Sequence, residues 1–302
     1  MRIVSLLPSA TEICFALGLG PSLVGITHEC DFPPQTEYKP VLTQSELEHG
    51  SATPGEIDRH VKEALHQGSS LYRLDHEGLR RARPDLILTQ ELCEVCAVAY
   101  PEVLEAARLL PGKPAVLSLE PHTLSEVMRS IIEVGQATGT RERAAELVRG
   151  LWARVDAVRG AVTGRGRPRV ACLEWVDPLM AAGHWVPDQV DIAGGIDVLG
   201  TSGQASRKIS FPELQAAAPE VIFCMPCGNR LDAAAAQAHQ LSAQPGWSDL
   251  PAVKAGEVYA VDGSWYFNRP GPRVVDGIEI LARLLHPDAW RGPVPQGYSK
   301  VE

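Results

Sequence analysis

Short apolar runs alternate with helically spaced segments through the first part of the chain. Residues 2–8 form an apolar, partly β-branched run that is typical of a buried strand. The next segment spaces its apolar side chains as a helix does until Gly18, and Ser9 with Glu12 has the spacing of a capping box at its start. A second short strand at 23–27 then completes a strand–helix–strand opening.

The alternation continues beyond one long loop. The stretch 33–55 is rich in Pro, Gly and Gln and predicts this loop. Beyond it the pattern predicts two helices, at 57–66 and 101–110, and two buried strands, at 86–89 and 115–119.

The middle of the chain has a helical period without any strand pattern. Apolar positions keep this period from 124 to about 162, with an interruption near Gly139. After the interruption, Leu147, Leu151 and Val155 fall on one face and charged residues fall elsewhere. This pattern predicts a stiff amphipathic helix between two lobes.

The second half repeats two patterns of the first. The strand-like segment 169–173 resembles 2–6, and the spacing Leu-x4-Pro-acid followed by an apolar strand occurs at both 79–88 and 214–223. Alternating strands and helices favour parallel sheets that are covered by helices on both faces. The predicted fold class is therefore α/β, with two Rossmann-like lobes joined by a single long α-helix. The predicted boundaries are 1–122 for the N-terminal lobe, 123–165 for the helical segment and 166–302 for the C-terminal lobe.

Composition excludes several classes of protein. The 28 Lys and Arg residues against 37 Asp and Glu give a formal charge of −9, which argues against nucleic acid as a partner. No apolar stretch approaches the roughly 18 residues that a membrane-spanning helix needs, so no membrane insertion is expected. The first residues also lack the features of a secretory signal, which predicts a cytoplasmic location.

Candidate chemistry follows the strands, because parallel sheets bind ligands outside the carboxyl ends of their strands. Pro8 and Ser9 follow the first strand at a helix start, where free N–H groups suit an anion or an amide oxygen. His28, Glu29 and Cys30 follow the second strand as a dense polar cluster. The alternatives are that Ser9 is only a cap and that the cluster is a solvated turn.

Two CxxC pairs stand in matching places of the two halves. Cys93 and Cys96 have acidic neighbours and are candidates for a redox or metal site, with His28 as a further ligand or base. Cys224 and Cys227 have a plainer alternative, since Cys224 ends a buried strand and can serve as a small apolar residue.

The second half is rich in aromatic residues at predicted loops. Aromatic faces there favour a large, flat ligand, and an arginine beside them can hold carboxylate, phosphate or amide oxygens. Core packing is the alternative for the aromatic residues. The candidates are Trp175, Trp185, Phe211, Trp265, Phe267 and Arg269.

The usual catalytic and nucleotide-binding motifs are absent from the sequence. It contains no Walker loop, GxSxG elbow, HExxH or GxGxxG. The chain is therefore predicted to bind rather than to catalyse, and no cofactor is required. The rival hypothesis is a thiol-dependent redox or metal-binding protein that uses Cys93 and Cys96 with His28.

Several motifs together resemble one family over nearly the whole chain. The chain is similar to the helical-backbone substrate-binding proteins of ABC importers for iron siderophores and vitamin B12, and most similar to the cobalamin-binding branch. The motifs are Ser5-x-x-Pro8-Ser9-Ala10-Thr11-Glu12, Val24-Gly25-Ile26-Thr27 with Asp31-x-Pro33-Pro34, the repeated Leu-x4-Pro-acid strands, the mid-chain helix and Arg269-x-x-Pro272-Arg273.

The resemblance implies two lobes, a shallow cleft between them and a bulky ligand. It implies a cobalamin-like corrinoid or another bulky metal chelate as the ligand, a monomer, and either an ABC permease as partner or a cytoplasmic relative of the importers. It further implies permease docking through one acid on each lobe, for which Glu77 and Glu213 are the candidates. The ligand contacts that it implies are Pro8, Ser9 and residues 28–30 from the first lobe, and Trp175, Phe211, Phe267 and Arg269 from the second.

Overall fold

A computed structural model describes residues 1–45, 53–66, 71–91 and 98–301. Contacts divide the chain into two compact units. Unit 1 comprises Met1–Pro121 and Met128–Val148, and unit 2 comprises His122–Val127 and Arg149–Glu302. The predicted α/β fold class is confirmed by the alternating helices and strands of both units.

Unit 1 follows the predicted alternation of strands and helices. It also contains two short strands that the sequence pattern did not predict, Thr43–Ser45 and Tyr72–Leu74, which precede and follow the helix Pro54–His66 in the sequence. The elements are β1 (Ile3–Ser5), α1 (Pro8–Ala16), β2 (Leu23–Ile26), β3 (Thr43–Ser45), α2 (Pro54–His66), β4 (Tyr72–Leu74), α3 (His76–Ala82), β5 (Leu86–Thr89), α4 (Tyr100–Leu109) and β6 (Ala115–Ser118).

The mid-chain segment forms two helices that break at the predicted glycine. α5 (Leu124–Ala137) and α6 (Arg141–Val162) flank Gly139, whose φ of 72° is a left-handed conformation that glycine adopts without steric cost. Thr123 and Glu126 form a capping box at the start of α5. Residues of α6 belong to both units, with the division between 148 and 149.

Unit 2 carries the remaining elements. They are β7 (Arg169–Val176), β8 (Leu179–Ala181), α7 (Val186–Ile192), β9 (Ile196–Asp197), β10 (Arg207–Lys208), α8 (Phe211–Ala217), β11 (Val221–Cys224), α9 (Leu231–Leu241), α10 (Pro251–Ala255), β12 (Val258–Val261), α11 (Gly263–Tyr266), α12 (Val274–Leu285) and β13 (Tyr298–Lys300).

The two main sheets differ at their edges. The unit 1 sheet has the order β2-β1-β5-β6 and is parallel throughout, as predicted. The unit 2 sheet has the order β10-β8-β7-β11-β12-β13, and only β7, β11, β12 and the short β9 run parallel. The predicted parallel arrangement holds at the centre of this sheet, and its edges are antiparallel because β8 returns beside β7 as a hairpin and β13 pairs antiparallel with β12.

The repeated sequence patterns occupy equivalent places in the two sheets. Ile3 pairs with Leu86 in unit 1, and the corresponding Val170 pairs with Val221 in unit 2. The amide of Arg2 donates to Asp85 at 2.7 Å, and the amide of Arg169 donates to Glu220 at 2.8 Å. The acid of each Leu-x4-Pro-acid pattern therefore fixes the start of the neighbouring strand.

Each sheet lies within its own apolar core. In unit 1, Val4 and Ile87 from the strands are fully buried with Leu79 of α3. In unit 2, Leu173 and Ile222 are buried with Leu214 of α8. None of the described helices is both long and apolar enough to span a membrane.

One predicted helix cap was wrong. Helix α1 begins at Pro8 after Leu7, and no side chain caps it. Ser9 and Glu12 are both buried within the helix. Proline is favoured at the first helical position, since its missing N–H needs no partner there, and this explains the early start.

Candidate functional site

The carboxyl ends of three parallel strands bring polar and aromatic residues together in unit 2. Strands β7, β11 and β12 are neighbours in the sheet. Glu174 is near the end of β7, and its carbonyl accepts a hydrogen bond from the amide of Cys227, which follows β11. Asp262 directly follows β12 and caps α11 by accepting from the amide of Trp265 at 2.9 Å. These residues define the strand-end site of unit 2.

An arginine lies over an indole ring at this strand-end site. The guanidinium carbon of Arg230 is 3.4 Å from the ring centroid of Trp265, and that of Arg273 is 4.8 Å from it. Asp262, which is 2% exposed, accepts from Nε of Arg230 at 2.6 Å and so fixes the guanidinium above the ring. Trp265 stays half-buried, so this edge presents an aromatic side chain beside cationic groups.

Gly263 is required where α11 meets the turn after β11. A Cβ at this position would lie 2.6 Å from the carbonyl oxygen of Pro226 and 2.8 Å from that of Met225. Real Cβ atoms do not approach backbone oxygens so closely. The absence of a side chain at Gly263 therefore allows the turn that places Trp265 to pack against the turn that leads to Arg230.

Trp175 and Phe211 lie in regular elements rather than in the predicted loops. Trp175 is half-buried within β7, and its indole N–H donates to the carbonyl of Asp177 at 2.8 Å. Phe211 is the first residue of α8, is half-buried and packs against the unit 2 core. Trp175 keeps partial exposure next to Glu174, and Phe211 serves mainly as a packing residue.

Trp185 and Phe267 lie in the interior of unit 2. Trp185 is 5% exposed and Phe267 is 0% exposed. The indole N–H of Trp185 donates to the carbonyl of Phe267 at 2.7 Å, which satisfies its polar atom inside the protein. Buried in this way, neither ring presents a surface to a ligand, which corrects their predicted place at the binding surface. Their contact instead supports the segment after α11.

Arg269 lies in the loop between α11 and α12. It is half-buried, and its carbonyl accepts a hydrogen bond from the amide of Gly271 at 2.8 Å. The sequence placed Arg269 at the polar rim of the site, whereas Arg230 and Arg273 are the arginines over Trp265.

The carboxyl edge of unit 1 holds a chain of hydroxyl and thiol groups. Cys30 contacts the hydroxyl of Thr11 at 3.1 Å, and Thr11 donates to the hydroxyl of Ser5 at 2.8 Å. Ser9 is 4% exposed within α1, next to Pro8. The polar residues at this edge are thus largely paired with one another.

His28 is fixed from both sides of its ring. Its Nδ1 lies 2.7 Å from the hydroxyl of Thr43, and its Nε2 lies 3.4 Å from the Glu29 carboxylate. The ring of Tyr72 is 5.2 Å away, centroid to centroid. His28 and Glu29 therefore lie close together, and both side chains retain partial exposure.

The thiol predictions differ in outcome. Cys93 and Cys96 lie outside the described residues. Cys224 is fully buried at the end of β11, and burial raises its pKa to about 12, so the thiol stays protonated near neutral pH. Cys224 and Cys227 are both free thiols. Among the described residues there is no cluster of three or more His, Cys, Asp or Glu side chains arranged to hold a metal ion.

The two candidate docking acids lie in the first turns of equivalent helices, one position apart in the alignment of the repeat. Glu77 is in the first turn of α3 and pairs with Arg80 at 2.7 Å. Glu213 is in the first turn of α8 and pairs with Arg207 at 2.7 Å. Both keep substantial exposure, with 58% and 41% of their side chains accessible.

Sequence reasoning missed Glu174, Arg230 and Asp262. Burial raises the pKa of the Glu174 carboxyl, although the hydrogen bond from Ser206 at 2.6 Å opposes the shift. All three lie at or just beyond the carboxyl ends of β7, β11 and β12. The expectation that ligands bind at the carboxyl ends of parallel strands applies to all three residues. The sequence analysis selected the aromatic residues of these loops instead.

Comparison with known proteins places this site in context. A family described as periplasmic binding protein matches residues 3–264. The vitamin B12-binding protein of Vibrio cholerae is 26% identical over 290 residues, covering 94% of this chain and 88% of that protein. An uncharacterized ABC transporter substrate-binding lipoprotein of Bacillus subtilis is 23% identical over 293 residues, covering 96% and 81%.

Solved structures agree with the sequence match. The periplasmic heme-binding protein RhuT from Roseiflexus sp. RS-1 superposes with a TM-score of 0.70 at 26% identity, covering 95% of this chain and 98% of that one. The family match spans most of the chain, and the resemblance deduced from the motifs is confirmed. The chain therefore belongs to the periplasmic binding protein family.

Proposed function

We propose that this protein is the substrate-binding component of an ABC importer and binds a bulky metal chelate, with a cobalamin-like corrinoid as the leading candidate. The family match supports the binding role. One relative is named as a vitamin B12-binding protein and another as a heme-binding protein, and both ligands are large, flat metal chelates. The proposal involves binding without turnover.

The observation that carries the proposal is the arginine–indole pair at the strand-end site. Trp265 keeps part of its indole exposed beside the guanidinium that stacks on it, and Trp175 adds a second half-buried indole at the end of β7, with β11 between that strand and β12. Arg230, whose side chain is 49% exposed, supplies N–H donors for the amide or carboxylate groups at a macrocycle's periphery, whereas Arg273 is 7% exposed and packs against the same ring.

The unit 1 residues have a secondary part in this proposal. His28, Glu29 and Cys30 follow β2 at the carboxyl edge of their own sheet, as Trp175 and Arg230 do at theirs. Ser9 is 4% exposed, and Pro8 beside it is partly exposed and begins α1 at this edge. We assign the polar ligand contacts of unit 1 to the partly exposed His28 and Glu29.

A permease is the proposed macromolecular partner. Glu77 and Glu213 lie in first turns of helices that the internal repeat relates to one another. Exposed acids in the first turns of two related helices suit a permease that presents basic residues to each unit. An importer role would place the protein on the outer side of the cytoplasmic membrane, in contrast to the cytoplasmic location expected from the first residues.

The thiol redox hypothesis has less support. Its two cysteines lie outside the described residues, and the relatives reported above are named as binding proteins. The buried, protonated Cys224 offers no alternative nucleophile in the matching CxxC pair.

A ligand titration tests the proposal. Purified protein is titrated with aquocobalamin, hemin and a ferric siderophore while tryptophan fluorescence and the absorption spectrum of each chelate are recorded. We expect at least one chelate to saturate the quenching at micromolar concentration, which corresponds to about −8 kcal/mol. If none of the three changes either signal at roughly a hundred times that concentration, the proposed ligand class is wrong.

A further inference from the structure

Two histidines outside the strand-end site approach each other in unit 2. His122 precedes α5 and His184 precedes α7. Their ring centroids are 5.8 Å apart, with an angle of 31° between the ring planes. The ring of Trp185 lies 5.7 Å from that of His184 and backs it from the interior side of the unit.

The backbone of His122 is fixed by the cap of α5. Its amide donates to the Glu126 carboxylate at 2.8 Å, and the amide of Thr123 donates to the same oxygen at 3.0 Å. The amide of Leu124 donates to Asp188 of α7 at 2.8 Å. The start of α5 is thereby bonded to the helix that begins just after His184.

The backbone of His184 is also fixed, and in a conformation that side chains rarely adopt. Its amide donates to the carbonyl of Gln204 at 2.6 Å, and its carbonyl accepts from the amide of Gly203 at 3.0 Å. Its φ of 51° is left-handed, which for a residue other than glycine is strained and occurs often at functional sites. The structure thus orients this imidazole at the expense of local strain.

The chemistry of the two rings suits coordination. Neither imidazole hydrogen-bonds to another residue in the part of the chain that the structure describes. His122 itself is exposed, so a ligand can reach the pair from solvent.

We propose that His122 and His184 form a two-imidazole site that coordinates a transition-metal ion. Imidazole nitrogen suits cobalt, nickel, copper, zinc and iron. With metal–nitrogen bonds of about 2.0–2.1 Å, two imidazoles on one metal have ring centroids roughly 4.5–6.4 Å apart, depending on the angle at the metal. The observed 5.8 Å lies within that interval.

The metal could come from two sources with the same coordination chemistry. One is the free aqua ion, for which water completes the coordination. The other is the central metal of a planar chelate with open axial positions, and this case rests on the proposed function. Because only two protein ligands are present, either source leaves positions on the metal for non-protein groups.

The test compares two site variants with a matched control. His122→Ala removes one ring, and His184→Asn removes the other with a residue that tolerates the left-handed backbone. His239→Ala, an exposed histidine in the last turn of α9 of the same unit, is the control. Calorimetry measures binding of Co²⁺, absorption spectra report the axial ligands of added hemin, and circular dichroism confirms that each variant is folded.

We expect each site variant to bind Co²⁺ at least about tenfold more weakly than wild type, since even changes behind a metal ligand cost about 10- to 100-fold. If the spectrum of bound hemin differs from that of wild type in both site variants, and not in His239→Ala, the two histidines bind the metal of a chelate. Unchanged Co²⁺ affinity and unchanged hemin spectra in both variants would overturn the site. A wild type that binds Co²⁺ at this pair but none of aquocobalamin, hemin and the ferric siderophore would overturn the proposed function and leave the metal site standing.

Discussion

At the scale of single residues, burial distinguishes side chains that the sequence treats alike. Trp185 and Trp265 each stand two residues after a glycine, yet Trp185 is 5% exposed and Trp265 is half-buried. Trp185 can be buried because its indole N–H donates to the carbonyl of Phe267, which is distant in the sequence. The ring of Trp265 instead lies beside two arginines. The contacts of these tryptophans with Phe267 and Arg230 join residues that are distant in the sequence. The sequence pattern therefore identified these tryptophans but could not distinguish a structural side chain from one that can contact a ligand.

Glu174 carries a prediction about pH. Burial raises the pKa of this carboxyl in the folded protein from its ordinary value of 4.5, so the folded state holds the proton to higher pH than the unfolded state does. The free energy of unfolding therefore decreases through this group as pH rises from the unfolded pKa through the raised folded pKa. Glutamine keeps an acceptor for Ser206 and cannot ionise.

Glu174→Gln should accordingly gain stability relative to wild type as pH rises from 5 to 8. Urea unfolding at several pH values measures the difference, with Glu146→Gln on the exposed face of α6 as the control. A difference that stays constant with pH, or that decreases as pH rises, would show that Glu174 does not carry a buried proton.

At the scale of elements, sequence patterns succeeded where a segment has a strong period or a clear boundary. The strand Leu86–Thr89 was predicted at its observed bounds, because a buried apolar run follows Pro84 and Asp85. The paired helices α5 and α6 were predicted because their period extends over many turns.

The missed elements are short and depend on pairing partners. Strands β3, β8 and β13 have three residues each, which is too few for an apolar alternation to be visible. They form because β4, β7 and β12 offer unpaired backbone groups beside them. Trp175 was placed in a loop for the same reason, since β7 extends to Val176 to pair with β8.

At the scale of the whole molecule, the internal repeat gives each unit an equivalent helix with an acid in its first turn. Helices α3 and α8 each have seven residues, and each ends in a left-handed residue, Arg83 with φ 42° and Ala218 with φ 43°. Each then leads into a strand that pairs with the first strand of its sheet. Glu77 and Glu213 lie in the first turns of these two equivalent helices, one position apart in the alignment of the repeat, and the family resemblance was the signal for them.

The docking proposal predicts separate effects on transport and on ligand binding. The double variant Glu77→Ala/Glu213→Ala should associate with the permease roughly tenfold more weakly, because charge complementarity across an interface is lost. Its affinity for the chelate should equal that of wild type. Pull-down of the permease and a ligand titration measure the two properties, with the exposed first-turn acid variant Glu142→Ala as control. Undiminished permease association in the double variant would rule out these acids as the docking contacts.

The central claim, that a metal chelate binds beside the Trp265 indole, is tested most directly by one ratio of dissociation constants. Trp265→Ala is compared with Trp152→Ala, because both indoles are half-buried and both lie near an arginine, at 3.4 Å for Arg230 and 6.0 Å for Arg159. For the chelate that binds wild type, we predict a dissociation constant at least about tenfold higher in Trp265→Ala and within about twofold of wild type in Trp152→Ala. Equal affinities in the two folded variants would contradict the account.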